Sequence, residues 1–147
     1  MGDGLVDRKR ICIIDGQGGG IGANLIKRLR EVHGEGYYLM SLGTNGIATS
    51  QMMKAGANRG ASGENAIVHT VAQADLIIGT IAVTWANAML GEVTPAMAAA
   101  ITSSPAPKIL LPLFHENITI VCVGTEPLPH MVQSIVEKII AEVLHHV

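Results

Sequence analysis

Aromatic side chains are almost missing from this 147-residue chain: Trp85, Phe114, Tyr37 and Tyr38 are all there are, 3% of the total. Proteins that stack bases or sugars generally use more aromatic faces than this. Charge is also scarce, at 15% against roughly 25% in an average soluble domain. With a net charge of −2 there is no basic footprint for nucleic acid. No run reaches the ~18 apolar residues of a membrane span. The nearest, residues 77–90, is interrupted by Gly79, Thr80, Thr84 and Asn87. The ten opening residues mix acids and bases with no apolar run behind them, which predicts a cytoplasmic protein without a signal peptide. The two cysteines, Cys12 and Cys122, sit in separate aliphatic runs and read as buried hydrophobes rather than a disulfide or metal pair. Six histidines (His33, His69, His115, His130, His145 and His146) show no zinc spacing, and no metal is expected.

What the chain does have is aliphatic mass, 48% hydrophobic overall, and 17 glycines. That balance excludes a disordered chain. Charge is distributed unevenly. Residues 1–60 hold eight of the ten Lys and Arg, and from Asn65 to Pro107 the only charged side chains are Asp75 and Glu92. A stretch so poor in charge is either buried or faces another chain. The expectation is a homo-oligomer, most simply a homodimer, with residues 82–102 or the closing helix at the contact.

The elements alternate. Residues 10–15 read as a strand, followed by a glycine cluster and a helix from Gly20 with Ile21, Leu25, Leu29 and Val32 on one face. Residues 37–42 are a second strand and 47–55 a short helix. Residues 56–63, GANRGASG, read as a flexible polar loop. A helix over 64–74 and a buried strand over 75–79 follow. Helices are predicted over 82–90 and 94–101, the latter with Thr94 as N-cap and Pro95 at the first helical position. Residues 108–113 and 118–123, separated by four residues, read as an antiparallel hairpin at the sheet edge. The amphipathic stripe from Leu128 to Leu144 closes the chain. Together these predict a single-domain α/β fold, a Rossmann-like doubly wound sheet of about five strands, spanning 10–147 behind a flexible arm at 1–9.

Chemistry concentrates in the loop after the first strand, Asp15-Gly-Gln-Gly-Gly-Gly-Ile-Gly22. Glycines there permit a tight turn and close approach of a phosphate, and the following helix offers free N–H groups and a favourable dipole. The strict G-x-G-x-x-G spacing fails at Ile21. The P-loop spacing fails because Ala23 and Asn24 stand where lysine and serine or threonine belong, which excludes a P-loop ATPase. Gly16, Gly20 and Gly22 fit G-x-x-x-G-I-G, which resembles the cofactor loop of short-chain dehydrogenases. The resemblance implies a dinucleotide pyrophosphate, of NAD or NADP, among Gly16, Gln17, Gly18, Gly19, Gly20, Ile21 and Gly22. The Tyr-x-x-x-Lys of those enzymes is absent, so their reaction is excluded, and an acid for the ribose at the end of the second strand is missing.

Over its full length the chain is similar to an uncharacterised family of small bacterial Rossmann-like proteins, a domain of unknown function. The similarity rests on residues 14–22, on Gly43-Thr-Asn-Gly-Ile-Ala-Thr49 through Gly63-Glu-Asn-Ala-Ile67, and on Ala74-Asp-Leu-Ile-Ile-Gly79 with Gly91-Glu-Val-Thr-Pro-Ala-Met97. It implies a fold and no activity.

In a doubly wound sheet the ligand crevice lies beyond the carboxyl ends of the strands, where strand order reverses. Ser41, Thr44 and Asn45 are candidates for a ribose, and Gly79, Thr80 and Thr84 for the far side. The alternative for each threonine is a turn or cap. Asp15 is the best catalytic candidate, with a cap on the loop's own N–H groups as the equal alternative. Lys54 and Arg59 either close on an anion or are solvated. Glu64 reads as a helix-start acid, and His69, in the helix after the 56–63 loop, is the histidine to watch. The function predicted is binding of a nucleotide or dinucleotide; the alternative is a non-catalytic oligomeric sensor or interaction module whose glycines are structural.

Overall fold

A computed structural model describes residues 8–113, 117–121 and 123–145. Its centre is one five-stranded sheet: β1 (Arg10–Asp15), β2 (Tyr38–Gly43), β3 (Arg59–Ser62), β4 (Leu76–Thr80) and β5 (Lys108–Leu111). The strands run parallel in the order β3-β2-β1-β4-β5. The order reverses between β1 and β4, so the carboxyl ends of those two strands frame the crevice. The helices are α1 (Gly20–His33), α2 (Gly46–Ala55), α3 (Glu64–Val71) and α4 (Pro95–Ser103). A closing run follows as α5 (Leu128–Ser134), a π turn (Ile135–Ile139) and α6 (Ile140–His145).

Strand alternation decides which helix covers which face. Ile11 and Ile13 of β1 pack with Leu25, Ile26 and Leu29 of α1, Met52 of α2, and Val132, Val136 and Ile140 of the closing run. Cys12 and Ile14 point the other way, toward Ile67 and Val71 of α3 and Met97 and Ile101 of α4. Part of the uncharged stretch, Ile67, Val71, Ile77, Val83, Met97 and Ile101 among it, is thereby buried on this chain's own sheet, while Val68, Trp85 and Leu90 are exposed. On α1 the predicted stripe holds for Leu25 and Leu29, but Val32 is 40% exposed and Ile26 is buried. Thr94 caps α4 as expected, its hydroxyl accepting from the Met97 N–H at 3.1 Å.

Three expectations are corrected. The polar segment 56–63 is not all loop: Arg59–Ser62 pairs with Met40–Gly43 as the edge strand. Small residues make this pairing close, since a Cβ at Gly60 would lie 2.6 Å from Ser41 Oγ and 2.8 Å from Met53 Sδ. Residues 82–90 do not form a helix. A 3-10 turn at Ile81–Thr84 is followed by a small looped hairpin in which Asn87 N–H donates to Val93 O and Val93 N–H donates to Ala88 O. Burial of Ala82, Val83, Ala88 and Val93 outweighs the helical pattern there. Finally, the described residues of 118–123 form no strand. Pro112 lacks the N–H that would extend β5 into a ladder, and Val121 is 81% exposed. The sheet therefore has no antiparallel edge among the described residues. Residues 1–7 of the expected arm, 114–116 of the expected four-residue turn, and Cys122 lie outside the described residues.

Candidate functional site

The glycine loop leaves the end of β1 and enters α1 through Gly19, whose φ of +73° places it in the left-handed region. Asp15, 5% exposed at the end of β1, turns back on the loop. Its Oδ1 accepts from Gly16 N–H and its Oδ2 from Gly22 N–H, each at 2.8 Å. Burial raises its carboxyl above the usual range; the N–H groups of Gly22, Gly16 and Ile21 oppose that rise, and the charge of Glu92 adds to it. Of the two readings of Asp15, the cap is the one this geometry realises.

Glu92, in the connection from β4 to α4, is the residue that sequence reasoning missed. Its Oε1 accepts from Thr44 Oγ1 at 2.7 Å, from Gln17 N–H at 2.8 Å and from Asn45 Nδ2 at 2.9 Å. Partial burial alone would raise its carboxyl; the hydrogen bonds from Thr44, Gln17 and Asn45 outweigh that and hold it below its ordinary value. A signal did exist, because Glu92 is one of two charges between residues 65 and 107. An acid kept in so apolar a stretch needs a specific set of donors.

The loop has few N–H groups left. Those of Gly16, Ile21 and Gly22 face Asp15, that of Gln17 faces Glu92, and that of Gly19 donates to Gly16 O. Among the described residues only the Gly18 and Gly20 N–H groups in this loop have no partner. Residues 15–21 line one wall of a cavity of about 530 Å³, which Thr80 and Ala82, Met89 and Leu90, and Pro112 and Leu113 complete. Its size suits a small-molecule ligand. Thr80 is 3% exposed and its hydroxyl has no partner.

The glycines divide into two kinds. A Cβ at Gly16 would lie 2.4 Å from Met89 Sδ and 2.6 Å from Thr44 Oγ1; one at Gly22 would lie 2.5 Å from Met52 Sδ. At Gly19 it would meet the Ala48 backbone at 2.7 Å. These three are closely packed, and Gly19, with its positive φ and the Ala48 backbone beside it, is the one the fold demands. At Gly18 and Gly20 a Cβ would meet nothing within 4 Å, and neither has a positive φ.

The other predicted residues scatter. Gly79 lies inside β4, where a Cβ would approach Ile14 O at 2.9 Å, and it does not line the cavity. Thr84 Oγ1 donates to Ile81 O in its own turn at 2.6 Å. Ser41 is fully buried and donates to Arg59 O. Asn45 caps α2 by accepting from Ala48 N–H, and it also donates to Gln17 O. Thr44 and Asn45 thus adjoin the loop through Glu92 without lining the cavity. Glu64 opens α3 and accepts from Thr94 Oγ1. His69 and Arg59 line a second cavity on a sheet face. Among the described residues no three His, Cys, Asp or Glu side chains gather as a metal site, and no helix is long and apolar enough to cross a membrane.

A family model described as a domain of unknown function, DUF3842, matches residues 10–144, and the chain belongs to that family. This agrees with the resemblance carried by the three sequence blocks, and it brings no activity with it. No curated protein and no solved structure matches the chain.

Proposed function

We propose that the crevice between β1 and β4 binds the phosphate-bearing part of a nucleotide or dinucleotide of the NAD(P) type. One observation carries the reading: Gly18 and Gly20 are glycine where neither backbone conformation nor packing asks for it, and both face the cavity. A missing side chain with no structural cause leaves room for a ligand. The two unused N–H groups, at the positive end of the 14-residue α1, suit a phosphate. The Thr80 hydroxyl, buried and without a partner, gains one if it donates to the same group.

The carboxylates set the orientation. Asp15 is already engaged by the loop's own N–H groups, whereas Glu92, held below its ordinary value, carries its charge on the β2 side. A ligand phosphate therefore belongs on the β4 side, with Gly18, Gly20 and Thr80. No nucleophile–base pair meets in this cavity among the described residues, so any reaction draws its reactivity from the ligand, as with a redox cofactor. The second reading, a non-catalytic module with structural glycines, is favoured by Gly16, Gly19 and Gly22. It leaves Gly18 and Gly20 unexplained.

Calorimetric titration with NAD, NADP, ATP and AMP tests the proposal. The expected result is micromolar binding of at least one, weakened more than tenfold by Gly20→Asp and severalfold by Thr80→Val. A Cβ at Gly20 meets nothing within 4 Å, so Gly20→Asp is expected to fold, which its urea unfolding checks. Silence from the whole panel, with the protein folded, overturns the reading.

A further inference from the structure

The second cavity, about 380 Å³, lies away from the glycine loop on the face of β2 and β3 beside α3. Register explains its lining. Arg10 stands opposite Tyr38, and Arg59 opposite Met40. Paired residues in a parallel sheet point to the same side, and Met40 packs with the core on the α3 side. Arg10, Tyr38, Met40 and Arg59 therefore share one face. His69 and Thr70 of α3, with Gln73 just after it, complete the rim. β3 is the edge strand of the sheet, and its residues are exposed along its whole length.

The arginines of this chain separate cleanly. There are five. Arg8 pairs with Glu35, Arg28 pairs with Glu31 and Glu137, and Arg30 pairs with Glu35 while donating to three carbonyls and to Asn58 Oδ1. Arg10 and Arg59 are the two whose guanidinium groups have no acceptor among the described residues, and both line this cavity. No carboxylate lines it with them. Asp75 is engaged elsewhere on the strand, where it accepts the Arg10 backbone N–H at 2.7 Å. The chain as a whole carries a net charge of −2, yet here two arginines without an acceptor share an apolar floor of Tyr38, Met40 and Leu42, with the Arg8 guanidinium over the Tyr38 ring 5.4 Å from its centroid.

We infer that this cavity is a second ligand site, distinct from the crevice, for a small organic oxyanion. Its carboxylate or phosphate lies on the Arg10 and Arg59 guanidinium groups and its apolar body on Tyr38 and Met40. A guanidinium presents a planar fork that matches either oxyanion with two parallel hydrogen bonds. The floor supplies what a bare ion does not use, so the organic part contributes to affinity. Ser41, Arg59 and His69 are three of the candidates that the sequence marks outside the glycine loop, and all three line this cavity.

The test is calorimetric titration of the full chain at low salt with three probes: phenyl phosphate, benzoate and inorganic phosphate. Phenyl phosphate tests a phosphate ester and benzoate a carboxylate. At least one of these is expected to bind tenfold or more tightly than inorganic phosphate. Arg10→Gln and Arg59→Gln are each expected to weaken it fivefold or more, and the double variant to remove it. Both side chains are exposed, so the variants fold. Gly20→Asp, which blocks the crevice, is expected to leave this binding unchanged. No saturable binding by either organic probe overturns the inference. So does binding that survives the double variant, that Gly20→Asp removes, or that inorganic phosphate matches.

Discussion

The Glu92 carboxylate accepts the Thr44 hydroxyl at 2.7 Å across 48 residues of sequence. With the bonds from Gln17 and Asn45 it ties the connection after β4 to the turn after β2 and to the glycine loop. Three chain segments that frame the crevice are held by one oxygen.

That bond set has a pH signature. A carboxyl held below its ordinary value stabilises the folded state above that ordinary value, and the contribution is lost as pH falls through the lowered one. Glu92→Gln is therefore expected to be less stable than the parent at neutral pH, with the gap closing toward acid. Urea unfolding midpoints across that range measure it. A gap that widens toward acid would refute the donor set described for Glu92.

Asp15 predicts the opposite slope. Burial raises its carboxyl, so its contribution is fully present below the ordinary carboxyl value and declines as pH rises through the raised one. Relative to Asp15→Asn, the parent is expected to be best favoured at acid pH, the difference shrinking toward neutrality. The same urea series reads both variants, and parallel slopes would count against one of the two assignments.

The glycines yield a contrast within eight residues. Gly18→Ala and Gly20→Ala are expected to change stability by no more than about 0.5 kcal/mol, as open surface positions do. Gly19→Ala combines a positive φ with a backbone clash against Ala48 and is expected to cost more than about 2 kcal/mol. Gly22→Ala meets the flexible end of Met52 and falls between, at roughly 1 kcal/mol. Equal costs at Gly18 and Gly19 in urea unfolding would remove the distinction on which the ligand proposal rests.

Much of the scaffold was legible from local pattern. Strand β1, the start of α1 at Gly20 and the Thr94-Pro95 start of α4 each follow from a periodicity or a cap confined to a few residues. What could not be read depended on distant partners. Arg59–Ser62 is a strand because β2 offers an edge, not because RGAS favours extension. Residues 82–90 have a helix's composition, but Ala88 and Val93 are buried by a looped path over the sheet. The loop and its candidate glycines were visible as a cluster, yet which of them is free depends on Met89, Met52 and Ala48. Glu92 became a site residue only when the fold carried it to Thr44.

The tip of the 87–93 segment is strained. Met89 and Leu90 have φ of +58° and +57°, and Leu90 is fully exposed. The left-handed conformation costs a branched or bulky residue roughly 1–2 kcal/mol. Leu90→Gly relieves that cost without losing burial, offset in part by the freer unfolded chain. A gain of about 0.5–1 kcal/mol in urea unfolding is expected, and a loss would show that the Leu90 side chain has a stabilising contact.

Cys12 gives the last prediction. It is fully buried in β1 between β2 and β4. Burial pushes its thiol up to about 12, with the charge of Asp75 adding to the rise and Arg10 opposing it. Thiolate is the reactive form, so the folded protein holds Cys12 both inaccessible and protonated at neutral pH. In a Cys122→Ser background, labelling by an aromatic disulfide reagent is expected to proceed only through unfolding. Its rate should rise with urea in step with the unfolded fraction. Labelling within seconds in the absence of denaturant would contradict the position of β1 at the centre of the sheet.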